Sequence, residues 1–426
     1  MPPASLSDPL SATHAAAGAR AVARCDLLGI APYSDSTDGL YRAWLSPAHR
    51  AAQRAVAGWM AEAGMQVRVD AASNLLGRYE GSSADAPALL IGSHIDSVRD
   101  AGRYDGPLGV MLGIECVARL HAAGRRLPFA VEVVAFGDEE GSRFAASMFT
   151  SRALAGTLAA GALDGVTDAD GIDVAQALAD WGLDATRIGQ AARAPGSVLG
   201  YLEAHIEQGP VLEAENLALG VVSAIAAQLR FAVSVRGRAG HAGTTTMPLR
   251  ADALAGAAEC VLAAETIARR AGSALVATVG RLQVLPGATN VVPGRVEFSL
   301  DVRAGSNAER DAAAAQILLR FQEIATARGL TIAADPVQDL AASPCDTQLV
   351  ELLQQAVAAQ GMPARTLVSG AGHDAMVMAA LCPTAMLFVR CAGGISHHPA
   401  ESVDPADAGF AVAAMLDFIE RLGATF

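Results

Sequence analysis

Two strand-like apolar runs in this sequence each end in residues that can bind a metal ion. Residues 88–91 lead into Gly-Ser-His-Ile-Asp at 92–96, and the run at 129–136 leads into Gly-Asp-Glu-Glu-Gly at 137–141. A third segment, Tyr-Asp-Gly at 104–106, lies in the loop that leaves the first run. Open α/β sheets hold ligands at the carboxyl ends of their strands. Because imidazole and carboxylate together suit divalent metals, the sequence predicts a metal-dependent hydrolase.

Composition limits the class of protein and of partner. A length of 426 residues predicts two domains, and 52% hydrophobic with 18% charged residues predicts a folded α/β protein. The net charge of -13 argues against nucleic acid or an anionic membrane as the main partner. Six scattered cysteines without a C-x-x-C pair predict reduced thiols. Residues 1–5 show no signal-peptide pattern and no apolar run reaches membrane-spanning length, so we expect a cytoplasmic protein.

The first two hundred residues alternate between helix and strand signals. Ser46-Pro47 predicts a capped helix start, and Gly64 predicts its end. Strands are predicted at Gln66–Val69 and in the two apolar runs, with a helix at 109–123 between those runs. Strand–helix–strand order of this kind predicts parallel pairing in a buried sheet.

The pattern changes after about Ser223. Residues 230–236 and 296–303 alternate between apolar and polar, which predicts an antiparallel sheet with one covered face. Long alanine-rich segments at 249–270 and 308–328 predict two helices. Two helices on a half-exposed sheet form a compact α+β domain.

Helix and strand signals of the first kind resume at 346–360 and 385–389. We therefore predict a discontinuous larger domain made of residues 1–223 and 336–426. The α+β segment, residues 224–335, is predicted to be inserted in it.

The adjacent carboxylates Glu139 and Glu140 are the most informative pair in the sequence. Neighbouring side chains point in different directions, so one can bind a metal while the other faces the attacking water. A metal lowers the pKa of its water, and the second carboxylate can then take the proton. Taken singly, each candidate has a simpler interpretation: a structural histidine, a loop-capping aspartate or a solvated glutamate.

Longer motifs identify a family. The sequence resembles the hydantoinase/carbamoylase branch of the M20 metallopeptidase-like amidohydrolases, which includes N-carbamoyl-L-amino acid hydrolases, allantoate amidohydrolases and β-ureidopropionases. The motifs that carry the resemblance are G-S-H-I-D-S, R-Y-D-G-P-L-G-V, F-G-D-E-E-G-S-R-F, H-I-E-Q-G-P-V-L-E, G-x-A-G-H-A-G-T and G-I-S-H-H-P-A-E. The resemblance implies an α/β, di-metal exopeptidase-like catalytic domain with an inserted α+β, ferredoxin-like lid and dimerisation domain.

The resemblance also implies a site for two divalent ions. Its ligands would be His94, Asp105, Glu140, His205 and His397. Asp105 would bridge the ions, Glu139 would be the general base, and Asp96 would orient His94. A histidine at 205 is typical of the carbamoylase branch and argues against a plain aminopeptidase. The ligand types suit zinc, manganese, cobalt or nickel, and the sequence does not distinguish among them.

Substrate-binding residues are implied on the insert and beside the ligands. They would be Gln208, His241, Asn290, Arg303, Gly372 and His373. An arginine fork matches a carboxylate, and histidine or asparagine can donate to a developing oxyanion, so His241 is expected to be catalytic. On the residues alone, Arg303 could be an exposed strand charge and His241 could be structural.

The implied reaction is hydrolysis of a ureido or N-carbamoyl C–N bond with release of ammonia and carbon dioxide. Allantoate is slightly favoured over N-carbamoyl-L-amino acids by the segments at 97–105 and 386–391. The resemblance implies a homodimer formed through the insert, in which His241 reaches the partner's active site. The alternatives are an N-acyl-amino acid deacylase or dipeptidase of the same fold, and a non-catalytic ligand-binding relative.

Overall fold

The computed structural model describes residues 9–272 and 275–426. The segment 1–5, on which the absence of a signal peptide was predicted, lies outside the described residues. The chain forms two compact units. The larger runs to Ser223 and resumes at Cys345–Leu367 and His373–Phe426, and the smaller comprises Ala224–Pro344 and Val368–Gly372.

Helices and strands alternate along most of the chain. The α-helices are α1 (Pro9–Leu28), α2 (Pro47–Glu62), α3 (Pro107–Ala122), α4 (Phe149–Leu154), α5 (Val174–Trp181), α6 (Val211–Ala214), α7 (Ala253–Ala271), α8 (Asn307–Arg328), α9 (Thr347–Ala359), α10 (Asp374–Met378) and α11 (Pro405–Gly423). The strands are β1 (Gln66–Val69), β2 (Leu75–Tyr79), β3 (Ala88–His94), β4 (Ala130–Phe136), β5 (Val198–Ile206), β6 (Leu219–Ile225), β7 (Ala227–Arg236), β8 (Gly240–His241), β9 (Leu275–Thr278), β10 (Leu282–Leu285), β11 (Val291–Val292), β12 (Arg295–Ala304), β13 (Thr331–Leu340), β14 (Ser343–Pro344), β15 (Thr366–Ser369) and β16 (Thr384–Val389).

The larger unit contains a mixed sheet in the order β1-β2-β4-β3-β5-β16-β6. Its four central strands, β4, β3, β5 and β16, are parallel, and β2 and β6 pair antiparallel at either side of them. The predicted parallel pairing of the two apolar runs is confirmed. Both strands are buried along their whole length, as expected for a sheet covered on both faces. The carboxyl ends of the four parallel strands therefore lie at one edge.

Local sequence fixes the helices that support this edge. Helix α2 begins as predicted, because the Ser46 hydroxyl accepts the His49 N–H and Pro47 occupies the first turn. Helix α3 follows directly after Asp105 and Gly106 and is almost entirely buried. A Cβ at Gly109 would lie 2.1 Å from the Ala204 carbonyl oxygen, so only glycine allows α3 to pack this closely on β5.

The smaller unit has a β-α-β-β-α-β arrangement. Its antiparallel sheet has the order β10-β12-β7-β13, with β9 also on β12, and α7 and α8 connect the strands. This is the topology of ferredoxin-like domains. Strand β12 alternates strictly between buried and half-buried residues, as its sequence pattern predicts. Residues of α7, α8 and the inner face of the sheet form a separate hydrophobic core.

Two general features bear on the environment of the chain. Within residues 9–272 and 275–426, no helix is long and apolar enough to cross a membrane. All six cysteines are free thiols, five of them buried and Cys345 half-buried.

Candidate metal centre

The predicted ligands gather at the carboxyl edge of the parallel strands. His94 is the last residue of β3, His205 is the penultimate residue of β5, and Glu140 lies in the loop after β4. His397 is separated from the end of β16 by seven residues, and Asp105 lies in the loop between β3 and α3. The position of the site at this edge agrees with the placement of ligands in open α/β sheets.

Asp105 belongs to two groups of possible metal ligands. One is His94, Asp105 and His205, and the other is Asp105, Glu140 and His397; within each, the ligand atoms lie within 4.8 Å of one another. Oδ1 of Asp105 is 3.2 Å from His205 Nε2 and 3.5 Å from His94 Nε2. Oδ2 is 3.4 Å from His397 Nε2, which is also 3.5 Å from Glu140 Oε1. The two oxygens of one carboxylate therefore face different groups.

Main-chain carbonyls orient the two buried imidazoles. Nδ1 of His94 lies 3.1 Å from the Asp96 carbonyl oxygen, and Nδ1 of His205 lies 3.0 Å from the Ile206 carbonyl oxygen. Each Nδ1 can only donate in this contact, so the Nε2 lone pair points toward Asp105. Nε2 of His205 is buried and forms no hydrogen bond. A buried lone pair without a donor is a suitable position for a cation.

Asp96 holds the pair of glutamates by its side chain. Its Oδ1 accepts the main-chain N–H of Glu139, and its Oδ2 accepts that of Glu140, both at 3.2 Å. The Asp96 carboxylate is also 3.4 Å from His94 Nδ1, slightly farther than its own carbonyl. Asp96, which follows β3, is thus hydrogen-bonded to the loop that follows β4.

The side chain of Gln208 contacts the carboxylate of Asp105, which both ligand groups share. Its Nε2 donates to Asp105 Oδ2 at 2.7 Å and to the Ser396 hydroxyl at 3.1 Å, and the Ser396 hydroxyl itself donates to the same Oδ2. Ser396 was not predicted as a site residue. Its position in the G-I-S-H-H motif, next to His397, is the signal that could have identified it.

Backbone conformation at the site is unusual for residues with side chains. Asp138, Gln208 and His397 have φ values of 66°, 56° and 54°. Each lies beside or at a candidate ligand, and such conformations are kept where the surrounding structure requires them. Gly106 has φ 84°, and a Cβ there would lie 2.5 Å from the His94 ring, so glycine is needed next to Asp105.

Charge in the site is unbalanced. Burial raises the pKa of Glu139 well above its ordinary range, and burial with the nearby charge of Asp105 raises the pKa of Glu140 to about 8. Burial also acts to raise the pKa of Asp105, but the neighbouring His205 and His94 hold it well below the ordinary range. These acids outnumber the cationic groups near them, and a bound cation would reverse the effect of burial on them.

His373 packs against the buried imidazole of His205. The ring centroids are 4.4 Å apart and the rings are inclined by 60°. Burial, followed by the charge of His205, lowers the pKa of His373 well below its ordinary value. His373 is therefore a neutral imidazole beside the candidate ligands. The preceding residue, Gly372, which was also predicted to bind substrate, belongs to the smaller unit.

The predicted substrate residues of the smaller unit fall in two places. His241 pairs with Val291 across β8 and β11, and the Asn290 carbonyl accepts the Ala242 N–H, so His241 and Asn290 are neighbours. His241 is exposed, and its Nδ1 accepts the Gly243 N–H at 3.1 Å.

Arg303 is held on the outer face of the small sheet. Its Nε and Nη2 donate to Oδ1 and Oδ2 of Asp301 at 3.1 and 3.0 Å, and Nη1 donates to the Gly370 carbonyl. Asp301 also accepts from Arg230 at 2.8 Å and from Gln228 at 2.9 Å. A side-on fork of this kind leaves one hydrogen on each terminal nitrogen of Arg303 unused.

A family model for peptidase family M20/M25/M40 matches residues 90–421. The chain belongs to this family. The match spans all the candidate metal ligands, and enzymes of the M20 family are di-metal hydrolases. The resemblance to the hydantoinase/carbamoylase branch is likewise confirmed by the relatives that follow.

Relatives of this M20 member include two kinds of amidohydrolase. The chain is 44% identical over 363 residues to an N-carbamoyl-L-amino acid amidohydrolase of Geobacillus stearothermophilus, covering 85% of this chain and 88% of the relative. It is 41% identical over 430 residues to an allantoate deiminase of Arabidopsis thaliana, covering 94% and 81%. A crystal structure of a hydantoinase/carbamoylase family amidase from Burkholderia ambifaria has a TM-score of 0.87 at 36% identity, with 96% and 97% covered.

The donors present in this M20 member fit divalent metal ions. Three imidazoles and two carboxylates converge in two overlapping groups, the Nε2 atoms are directed inward, and the buried acids lack sufficient counter-charge. Nitrogen and oxygen donors without thiolate suit first-row transition metals.

Proposed function

We propose that this protein is a two-metal hydrolase of ureido or N-carbamoyl C–N bonds. The observation that carries the proposal is the shared carboxylate: Asp105 directs one oxygen to the His94–His205 group and the other to the Glu140–His397 group. We assign these five residues as ligands of two divalent ions, zinc, manganese, cobalt or nickel, with Asp105 as the bridge. Bound ions of this kind activate water and polarise the carbonyl that it attacks.

Glu139 is the proposed general base. Its main chain is fixed by Asp96, while Glu140, the next residue, supplies the ligand. Glu139 would take a proton from the attacking water and return it to the nitrogen that leaves. The C–N bond breaks, and the carbamoyl carbon departs as carbon dioxide with the second nitrogen as ammonia.

Substrate recognition is assigned to both units. Arg303 would bind the substrate carboxylate through the hydrogens that Asp301 leaves unused, and a pocket of about 620 Å³ lined in part by Arg230, Thr278 and Arg303 has the size of a small-molecule site. His241 and Asn290 would donate to the oxyanion. Gln208, Gly372 and His373 would complete the substrate contacts beside the ligands.

We further propose that residues 224–335, which form most of the smaller unit, are the lid and dimerisation domain, inserted in a catalytic domain of 1–223 and 336–426. In the homodimer, His241 would serve the active site of the partner subunit. This arrangement would explain why an exposed histidine is implied in catalysis.

The proposed substrates are allantoate and N-carbamoyl-L-amino acids. The names of the relatives support both, since they include an N-carbamoyl-L-amino acid amidohydrolase and an allantoate deiminase at similar identity. Both compounds carry a ureido group and a carboxylate, which the proposed base and Arg303 would engage in the same way. The motif segments at 97–105 and 386–391 favour allantoate.

Ammonia release tests the proposal directly. Metal-stripped protein is restored with Zn²⁺ or Mn²⁺ and supplied with allantoate, several N-carbamoyl-L-amino acids and an N-acetyl amino acid, with release of free amino acid followed for the last. Turnover of a ureido substrate only after metal is restored supports the proposal. Turnover of the acetyl compound alone would identify a deacylase, and ligand binding without any turnover would identify a non-catalytic relative.

A further inference from the structure

The carboxylate of Glu401 lies beneath the loop that carries the shared ligand. Its Oε1 accepts two main-chain N–H groups, that of Tyr104 at 2.8 Å and that of Asp105 at 3.1 Å. Glu401 is 4% exposed, so these bonds are buried. The two segments are almost three hundred residues apart in the sequence. The bonds therefore fix the position of the Asp105 backbone from a distant part of the chain.

The loop is shaped to receive this side chain. A Cβ at Gly102 would lie 2.1 Å from the carboxyl carbon of Glu401 and 2.3 Å from each of its oxygens. Any residue other than glycine at 102 would therefore occupy the volume of the carboxylate.

Glu401 also ends the turn that begins at His397. The Glu401 N–H donates to the His398 carbonyl at 3.0 Å, and the Ala400 N–H donates to His398 Nδ1 at 3.1 Å. His397 lies at one end of this turn, and the two bonds to the Asp105 loop lie at the other. The turn thus connects His397 with the loop that carries Asp105. The nearest side-chain atoms of these two candidate ligands are 3.4 Å apart.

Only one oxygen of the Glu401 carboxyl group has a hydrogen-bond partner. Its second oxygen, Oε2, is buried without one. A buried carboxyl oxygen that lacks a partner is destabilising. A glutamine could accept the same two bonds through its amide oxygen.

We propose that Glu401 is a positioning residue that holds the Asp105 main chain so that each oxygen of Asp105 faces one metal ion. The inference rests on the proposed function, because it requires Asp105 to be the bridging ligand. Loss of the two bonds would leave the Asp105 loop free to shift, and a small shift would be enough to spoil both groups of ligands.

The test is calorimetric titration of the metal-stripped, full-length protein with Zn²⁺ and, separately, Mn²⁺. Glu401→Ala is expected to weaken metal binding by about 10- to 100-fold, the range found when partners of metal ligands are removed. Glu401→Gln keeps an acceptor oxygen and should bind within about threefold of the wild type, with an unfolding temperature of the metal-free protein no lower than that of the wild type.

Matched variants separate positioning from general stability. Asp70 is a buried aspartate that likewise accepts two main-chain N–H groups, those of Ala72 and Asn74, far along the chain from any candidate ligand. Asp70→Ala should lower the unfolding temperature of the metal-free protein and leave metal affinity unchanged. Gly102→Ala should weaken metal binding with Glu401 intact, whereas Gly58→Ala, where a Cβ meets nothing within 4 Å, should not.

Wild-type affinity in both Glu401→Ala and Gly102→Ala would overturn the proposal, as would an equal loss of affinity in Asp70→Ala. If Glu401→Ala does not fold, Glu401→Asp, whose carboxylate is one methylene too short, takes its place and must bind more weakly than Glu401→Gln. Failure of the wild type to bind either metal would refute the proposed function itself. Normal binding by the wild type and by every variant would refute only the role of Glu401.

Discussion

The candidate metal centre of the larger unit and the arginine cluster of the smaller unit differ in burial and in how their charges are balanced. His94 and His205 are about 1% exposed, and the acids around them lack enough cationic partners. Arg303 and Arg230 are 29% and 44% exposed, and both already donate to Asp301. The first region has an excess of acidic groups that a cation would balance. In the second, the two arginines share one carboxylate partner and keep one net positive charge. Substitutions in the first should therefore remove function, and those in the second should adjust it.

The largest expected effect is that of Glu139→Gln. Loss of a general base should lower kcat by about 10²- to 10⁴-fold, because the amide cannot take the proton. Metal binding, measured by titration, should be retained, since Glu139 is the carboxylate not assigned as a ligand. A variant that turns over within tenfold of the wild type would show that the base lies elsewhere.

The next largest effect is expected for His205→Ala, which removes a proposed metal ligand. The wild type should be stabilised by Zn²⁺ by about 2.7 kcal/mol at a hundredfold excess over Kd, and the variant should lose most of this stabilisation. The control is His49→Ala, because His49 is also buried with no hydrogen bond at either ring nitrogen. Thermal unfolding with and without Zn²⁺ should show an intact metal response in His49→Ala. The same loss in both variants would contradict the assignment of His205.

Arg303→Ala should act on substrate affinity. Removal of a charge-assisted contact to a carboxylate should raise KM by about 10- to 100-fold, with a smaller change in kcat. Arg295 lies on the same face at the other end of β12 and pairs with Glu297, so Arg295→Ala is the matched control. Steady-state kinetics that show the same KM in both variants would place the carboxylate site elsewhere.

The smallest effect is expected for Asp301→Asn and depends on pH. Burial acts to raise the pKa of Asp301, but hydrogen bonds from Arg303 and Arg230 lower it overall. A lowered pKa in the folded state contributes stability above the unfolded pKa of about 3.9. This contribution is lost as the pH falls through the pKa that Asp301 has in the folded protein.

The difference in unfolding temperature between the wild type and Asp301→Asn should therefore be present at pH 7 and vanish in strong acid. At pH 7, KM should rise only several-fold, because asparagine retains one acceptor for Arg303. A difference in stability that persists unchanged at low pH would argue against the ion-pair explanation.

Prediction from the sequence succeeded for elements that combine a periodic hydrophobic pattern with a local cap or turn residue. Helix α2 begins at Pro47 after the predicted cap, and β1 has its predicted bounds, while β12 differs by one residue at each end. The topology of the smaller unit agrees with the ferredoxin-like fold that the family resemblance implies. Strand β5, which carries His205, was not predicted as a strand, because Gly200 and Glu203 interrupt its apolar pattern.

Contacts between segments far apart in the chain could not be predicted from the sequence. The bonds from Glu401 to the Asp105 loop and the contact of Gln208 with Asp105 join residues far apart in the chain, and no local pattern encodes them. Asp301 is different. It lies two residues from Arg303 on the same face of a strand, so a local pattern does encode their contact.

As the proposed bridge, the carboxylate of Asp105 would couple the binding of the two candidate ions. Any cation held on one oxygen changes the free energy of a cation on the other, and the change must be equal in both directions. Occupancy should thus follow a coupled isotherm rather than two independent ones. The half-exposed His397 would give one ion direct access to solvent, whereas an ion between the buried His94 and His205 would be enclosed. A chelator should therefore extract them in sequence, the outer before the inner.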